Sequence, residues 1–240
     1  MKLRALTLAI CFGAAVFATN SASAKDYTKA EIEQIVHDYI LNNPDVLMEA
    51  GDKVKERQAQ QALDQQNKLI QSIYADKAIP SSGAKNGKHK IIEFFDYNCG
   101  YCKKARPILK EILNDNLDVQ YYYMEFPILS EISVTAAEIG IALYAINPKI
   151  YEKYNDQLMT RNDRLQTEVQ LQALVESLDP KIKWSEVKKI SKTPQVQQTL
   201  NNIRGIAQKL NVNGTPAFII DGEVLRGAPR SADMVKTLLK

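Results

Sequence analysis

Sulfur and imidazole are scarce in this chain, whose 240 residues hold three cysteines and two histidines. A zinc site built on Cys99-x-x-Cys102 needs a second ligand pair, and only the widely separated His37 and His89 remain to supply one. A c-type haem is excluded because Lys103, not histidine, follows Cys102. Excess charge of either sign is also missing, with 31 basic against 28 acidic residues, so no nucleic-acid footprint is present. No internal repeat is found. A phosphate loop is rejected, since Gly83 to Lys88 is one residue short and no Ser or Thr follows Lys88. Long apolar runs are absent too: Leu6 to Phe17 falls short of the roughly 20 residues a membrane span needs.

That short run reads as the apolar core of an export leader. Lys2 and Arg4 precede it, and Ser21-Ala22-Ser23-Ala24 supplies the small-residue cleavage pattern, so cleavage is expected after Ala24. A lipid anchor on Cys11 is disfavoured by the bulky Ile10 before it. Loss of residues 1–24 removes Cys11 and two cations, leaving Cys99 and Cys102 as the only sulfur pair in a nearly neutral chain. A bridge across two intervening residues closes almost no loop and constrains the unfolded chain little. A structural staple is therefore physically poor, and a redox role fits.

Residues 25–75 read as a helical arm. Thr28 and Glu31 form a capping-box pattern, and Ile32, Ile35, Val36, Tyr39 and Ile40 share one helical face. Asn43-Pro44 interrupts, with Asn43 a candidate N-cap for a second helix whose stripe runs through Val46, Leu47, Ala50 and Val54. From Arg57 to Lys68 the arm is mostly polar. So thin a stripe suits either a solvated helix or an oligomerisation stalk that buries Ile32 to Val54 against another copy.

Pro80-Ser81-Ser82-Gly83 and Asn86-Gly87 mark loop and turn before a module spanning 76–240. Lys90 to Phe95 reads as a buried strand, Cys102 to Leu113 as a helix, and Val119 to Phe126 as a second strand ended by Pro127. The three tyrosines of that second strand read as sheet packing. A helical block covers about 130–210, with amphipathic pieces at 151–159, 168–178 and 195–210. Phe218 to Leu225 forms a hairpin with an Asp221-Gly222 turn, and Ser231 to Leu239 closes as a helix. The order describes an α/β thioredoxin fold with a helical insertion, preceded by the helical arm.

A thiolate, not a thiol, attacks disulfides. Where a strand turns into a helix, unpaired N–H groups and the positive end of the dipole favour that anion at Cys99. Cys102, one turn on, is placed to attack Cys99 in a mixed disulfide. Cys99 is thus the expected nucleophile and Cys102 the resolving residue. Glu93 is a charge inside an apolar strand, so burial should raise its pKa and let it exchange a proton with Cys102; pairing with a lysine or pointing to solvent is the alternative. In a thioredoxin fold, Thr215-Pro216 falls where a cis proline faces the dithiol, and together with Gly100 and Tyr101 it is expected to line the client site. No cofactor beyond the Cys99–Cys102 pair is called for.

The segment Ile92-Glu93-Phe94-Phe95-Asp96-Tyr97-Asn98-Cys99-Gly100-Tyr101-Cys102-Lys103 resembles the active-site segment of the DsbA-like thiol–disulfide oxidoreductases. Met124-Glu125-Phe126-Pro127, the helical insertion and Gly214-Thr215-Pro216 match in the same order. The arm resembles that of the ScsC-type and Com-type dimeric or trimeric branch. Strongly oxidising members carry Pro-His between the cysteines, whereas Gly100-Tyr101 offers no cation, which implies a milder redox poise. Thr215 before the proline resembles the isomerase and reductase branches.

The resemblance implies a periplasmic enzyme acting on exported clients and recycled by a quinone-linked membrane oxidase or a reductase. The leading expectation is an oligomeric disulfide isomerase that also oxidises. A monomeric DsbA-like oxidase and a non-catalytic envelope chaperone or surface protein are the alternatives.

Overall fold

A computed structural model describes residues 26–115 and 118–239; the leader and its cleavage position lie outside these. The contacts divide the chain after Arg57 into two compact units. The first holds α1 (Lys29–Asn42) and the start of α2 (Asp45–Ala75). Thr28 and Glu31 close a reciprocal capping box, with the Glu31 carboxylate accepting from the Thr28 N–H at 2.9 Å. Asn43 does not cap the second helix with its side chain as expected. Its amide donates instead to the Tyr39 carbonyl at 2.8 Å, closing the end of α1. No residue of α1 is buried, and Ile32, Ile35, Val36 and Tyr39 are each at least 50 % exposed.

The second unit is built on a five-stranded sheet in the order β1-β3-β2-β4-β5, comprising β1 (Ser81–Gly83), β2 (His89–Phe95), β3 (Val119–Glu125), β4 (Ala217–Ile220) and β5 (Glu223–Arg226). β2 and β3 are parallel, joined through α3 (Gly100–Asn114), and the remaining pairs are antiparallel. Strand alternation sorts the core. Ile91, Phe95, Tyr121, Tyr123, Phe218 and Ile220 enter one cluster, while Ile92, Phe94, Tyr122, Met124 and Ile219 enter another. Each fully buried Ile or Phe contributes about 1.5–3 kcal/mol, so a one-residue register slip would forfeit both faces.

The first face is covered by α3, by α9 (Ala232–Leu238) and by helices of the insertion. These are α4 (Glu131–Ile146), α5 (Pro148–Thr160), α6 (Glu168–Leu178) and α7 (Trp184–Ser191). The second face is covered by α8 (Pro194–Lys209) and by the last turns of α2, where Ile70 and Ile73 are buried. Those last turns are thus part of the second unit's core, although their surroundings in sequence read as a polar arm. One further element differs from the expectation. Ser81–Gly83, read as loop, pairs with the outer edge of β3, with Ser82 opposite Tyr121. That edge offers unpaired backbone groups, which recruit a segment of poor intrinsic strand propensity. α7 falls inside the helical block expected over about 130–210, and Val187 is its anchor in the core.

Candidate active site

β2 ends at Phe95, and the chain turns through Asp96 to Asn98 before α3 begins. Asp96 organises this turn. Its Oδ1 accepts from the Asn98 N–H and from the Ser133 hydroxyl, each at 2.7 Å. Its Oδ2 accepts from the Ile128 and Leu129 N–H groups, each at 2.9 Å, and its carbonyl accepts from the Cys99 N–H at 2.9 Å. Asn98 ties the same turn to the insertion: Oδ1 accepts from the Leu165 N–H at 2.8 Å, and Nδ2 donates to the Leu165 carbonyl at 3.0 Å. The dithiol thus rests on two buried side chains that bind segments 32 to 67 positions away. Neither was singled out from the sequence, where Asp and Asn beside a turn are unremarkable.

Cys99 is the N-cap of α3, and its sulfur accepts from the Cys102 N–H at 3.2 Å. The thiol also lies 3.3 Å from the Thr215 carbonyl, to which it donates. The Thr215–Pro216 bond is cis. The hydrogen bond from the Cys102 thiol is the largest influence on Cys99, lowering its pKa to about 6 against opposing burial. Thr215 and the N–H groups of Cys102 and Tyr101 add to the lowering. Cys102 moves the other way, raised chiefly by burial, then by its bond to Cys99 and the nearby Glu93 charge. Both thiols are free. The pair is therefore polarised, one sulfur an anion near neutrality and the other a buried thiol.

Glu93 lies in β2, 1 % exposed, and accepts a hydrogen bond from the Tyr121 hydroxyl. Its other oxygen has no hydrogen-bond partner among the described residues. Burial raises its pKa to about 7, with the Tyr121 bond and the Arg106 charge pulling down. Arg106, one turn beyond Cys102 on α3, has Nη1 buried without a partner and Nε 3.3 Å from Asp156. A second carboxyl, Glu125, is likewise buried and raised chiefly by burial; it accepts from the Tyr97 and Tyr151 hydroxyls at 2.5 and 3.0 Å. Of the residues between the cysteines, Tyr101 is 66 % exposed under the Lys104 ammonium, and a side chain at Gly100 would meet, among the described residues, nothing within 4 Å beyond its own helix and chain neighbours. Cys99, Cys102, Glu93, Thr215 and Pro216 thus converge on one end of the sheet, with Gly100 and Tyr101 at the surface. His89 is elsewhere, 2.7 Å from Asp221.

Comparison with known proteins extends this picture. Residues 75–240 match the Thioredoxin family model, and residues 29–61 match the model of the copper resistance protein ScsC N-terminal domain. The chain is 27% identical to the probable disulfide bond formation protein D of Bacillus anthracis over 161 residues, covering 63% of this chain and 74% of that one. It superposes on a linker-deletion mutant of Proteus mirabilis ScsC with a TM-score of 0.64 at 27% identity, over 91% of this chain and 96% of that one. The thiol–disulfide exchange protein alpha-DsbA2 of Wolbachia pipientis gives 0.65 at 25% identity, over 73% and 94%. With a thioredoxin model covering the whole sheet and its helices, and an ScsC-type segment preceding it, the chain belongs to the thioredoxin family as a thiol–disulfide oxidoreductase of the DsbA- and ScsC-like kind.

Proposed function

We propose that the chain is an exported, oligomeric disulfide isomerase of the periplasm that also oxidises clients, with Cys99 attacking and Cys102 resolving. The observation that supports this reading is the placement of the pair, with the Cys99 sulfur capping α3 through the Cys102 N–H and lying against the carbonyl of Thr215 before a cis proline. In isomerisation the Cys99 thiolate attacks one sulfur of a wrong client disulfide; that bond breaks, and the other client sulfur leaves as a thiolate. A client thiolate then attacks the mixed disulfide, forms a new client bond and returns Cys99 as a thiolate, with no net change in electrons. When no client thiolate arrives, Cys102 gives its proton to Glu93 and attacks Cys99, releasing the client reduced. A membrane partner of the reductase type then returns the Cys99–Cys102 disulfide to the dithiol; in the oxidising direction that disulfide passes instead to a client dithiol, the pair is left reduced, and a quinone-linked oxidase restores its disulfide. Thr215 and Pro216 present backbone to an extended client, and Gly100-Tyr101 forms the open lip.

Reduced chain added to scrambled ribonuclease is expected to restore activity without added oxidant. Recovery only when oxidant is supplied would replace this reading with that of a plain oxidase. No recovery, together with unchanged envelope phenotypes for Cys99→Ala, would favour a non-catalytic chaperone.

The arm is proposed to join several copies. Ile32, Ile35, Val36 and Tyr39 expose a contiguous apolar face that water does not favour, and the capping box holds their helix ready for partners. Several catalytic units on one stalk raise the local concentration of thiolate around a client. Ile35→Glu with Val36→Glu is expected to reduce the sedimenting mass to that of a monomer while leaving far-ultraviolet circular dichroism intact. An unchanged mass would remove the arm from the assembly.

A further inference from the structure

A groove of about 820 Å³ lies away from the dithiol, between α2, the end of α8 and β5. Leu69, Leu210 and Val224 give it an apolar floor, since all three are buried or half-buried. Lys68, Lys209 and Arg226 are exposed around it, and among the described residues no carboxylate lines it. In a chain whose charges nearly balance, such a one-signed rim is a local feature rather than a reflection of composition.

Two observations indicate what fills it. A second groove of about 300 Å³ shares Asn211 and Arg226 with the first and is lined by Thr215 and Pro216. The carbonyl of Thr215 in turn lies 3.3 Å from the Cys99 sulfur. Thr215, Asn211 and Arg226 therefore form a track that links the neighbour of the nucleophile to the cationic groove. The track also follows β5, which closes the sheet order and pairs only with β4 among the described residues. An edge strand presents main-chain groups to an extended chain, whatever its sequence.

Building on the dithiol reading above, we propose that this groove is a second client-binding site. It takes an extended segment that combines acidic and apolar side chains and flanks the cysteine under attack. Apolar side chains settle on Leu69, Leu210 and Val224, while carboxylates meet Lys68, Lys209 and Arg226. Clients unable to fold would be engaged by this general chemistry, and the acidic preference would bias the enzyme among them.

The test uses full-length reduced chain and three disulfide substrates. Two are peptides with a central cysteine held as a mixed disulfide with mercaptoethanol, flanked on both sides by alternating Leu and Glu in one and by alternating Leu and Lys in the other. The third is hydroxyethyl disulfide, small and uncharged. In every case the substrate disulfide becomes two thiols and the chain's two thiols become the Cys99–Cys102 disulfide. The acidic peptide is expected to react about tenfold faster than the basic one at low salt, with the preference collapsing at high salt. Lys68→Glu with Lys209→Glu should abolish that preference and leave the hydroxyethyl disulfide rate unchanged. Equal peptide rates in the parent chain, or a preference that survives the double substitution, would overturn the groove as a client site. Failure of hydroxyethyl disulfide to react with the parent chain would instead overturn the dithiol reading itself.

Discussion

Cys99→Ser is expected to lower disulfide exchange by a factor on the order of 10³ or more, while Cys102→Ser keeps the first attack and accumulates a mixed disulfide with the client. The asymmetry follows from placement. Cys99 caps α3 and receives the Cys102 thiol and two backbone N–H groups, so its thiolate forms near pH 6. At pH 7 roughly nine in ten Cys99 side chains are then ionised, where a thiol with a pKa near 9 would be about one hundredth ionised. Alkylation by iodoacetamide, followed by mass spectrometry, should reach half its plateau rate near pH 6 and fall about tenfold per pH unit well below that. Because the Cys102 thiol is the largest influence, Cys102→Ala should move that midpoint up, whereas Cys102→Ser retains a hydroxyl donor and moves it less. First alkylation at Cys102, or exchange that survives Cys99→Ser, would reverse the assigned roles.

Much of this site was legible because its signals are local. The Cys-x-x-Cys spacing fixes both sulfurs on one helical turn, and a lone charge within Ile91 to Phe95 marks Glu93 without reference to anything distant. The capping box at Thr28 and Glu31 is similarly self-contained. What escaped the sequence reading depends on partners remote in the chain. Asp96 reads as a turn residue until Ile128, Leu129 and Ser133 arrive at its oxygens. Asn98 acquires its meaning only from Leu165, 67 residues later. Glu125 has Tyr97 on one side and Tyr151 on the other, from a loop and an inserted helix. Ser81–Gly83 becomes a strand solely because β3 leaves an edge to pair, and Ile70 and Ile73 are core because the second sheet face needs cover. Asparagine at 43 could serve either helix end by sequence alone, and its amide binds the Tyr39 carbonyl four residues back.

The buried acid carries the other large effect. Glu93 is enclosed, holds one hydrogen bond from Tyr121, leaves an oxygen unpaired and ionises near pH 7 in place of 4.5. Between those two values the folded chain retains a proton that the unfolded chain has released, so stability falls as pH rises from 4.5 through about 7 and then levels off. The full cost of charging it is up to about 3 kcal/mol. Glu93→Gln keeps an oxygen for the Tyr121 hydroxyl and removes the charge, while Arg106 loses a nearby anion and retains Asp156. Reduced Glu93→Gln is therefore expected to exceed the parent by about 1–3 kcal/mol in denaturant unfolding at pH 8 and to match it near pH 4. The same change removes the carboxylate proposed to take the proton from Cys102. Release of client from the mixed disulfide should slow by about 10²-fold and lose its inflection near pH 7, while alkylation of Cys99 keeps its midpoint near 6. A merely structural carboxyl would alter stability without moving the pH profile of release. A variant that is no more stable at pH 8 than at pH 4, relative to the parent, would show that Glu93 ionises in the folded chain as readily as in the unfolded one; an unchanged release profile would show that another group takes the proton from Cys102.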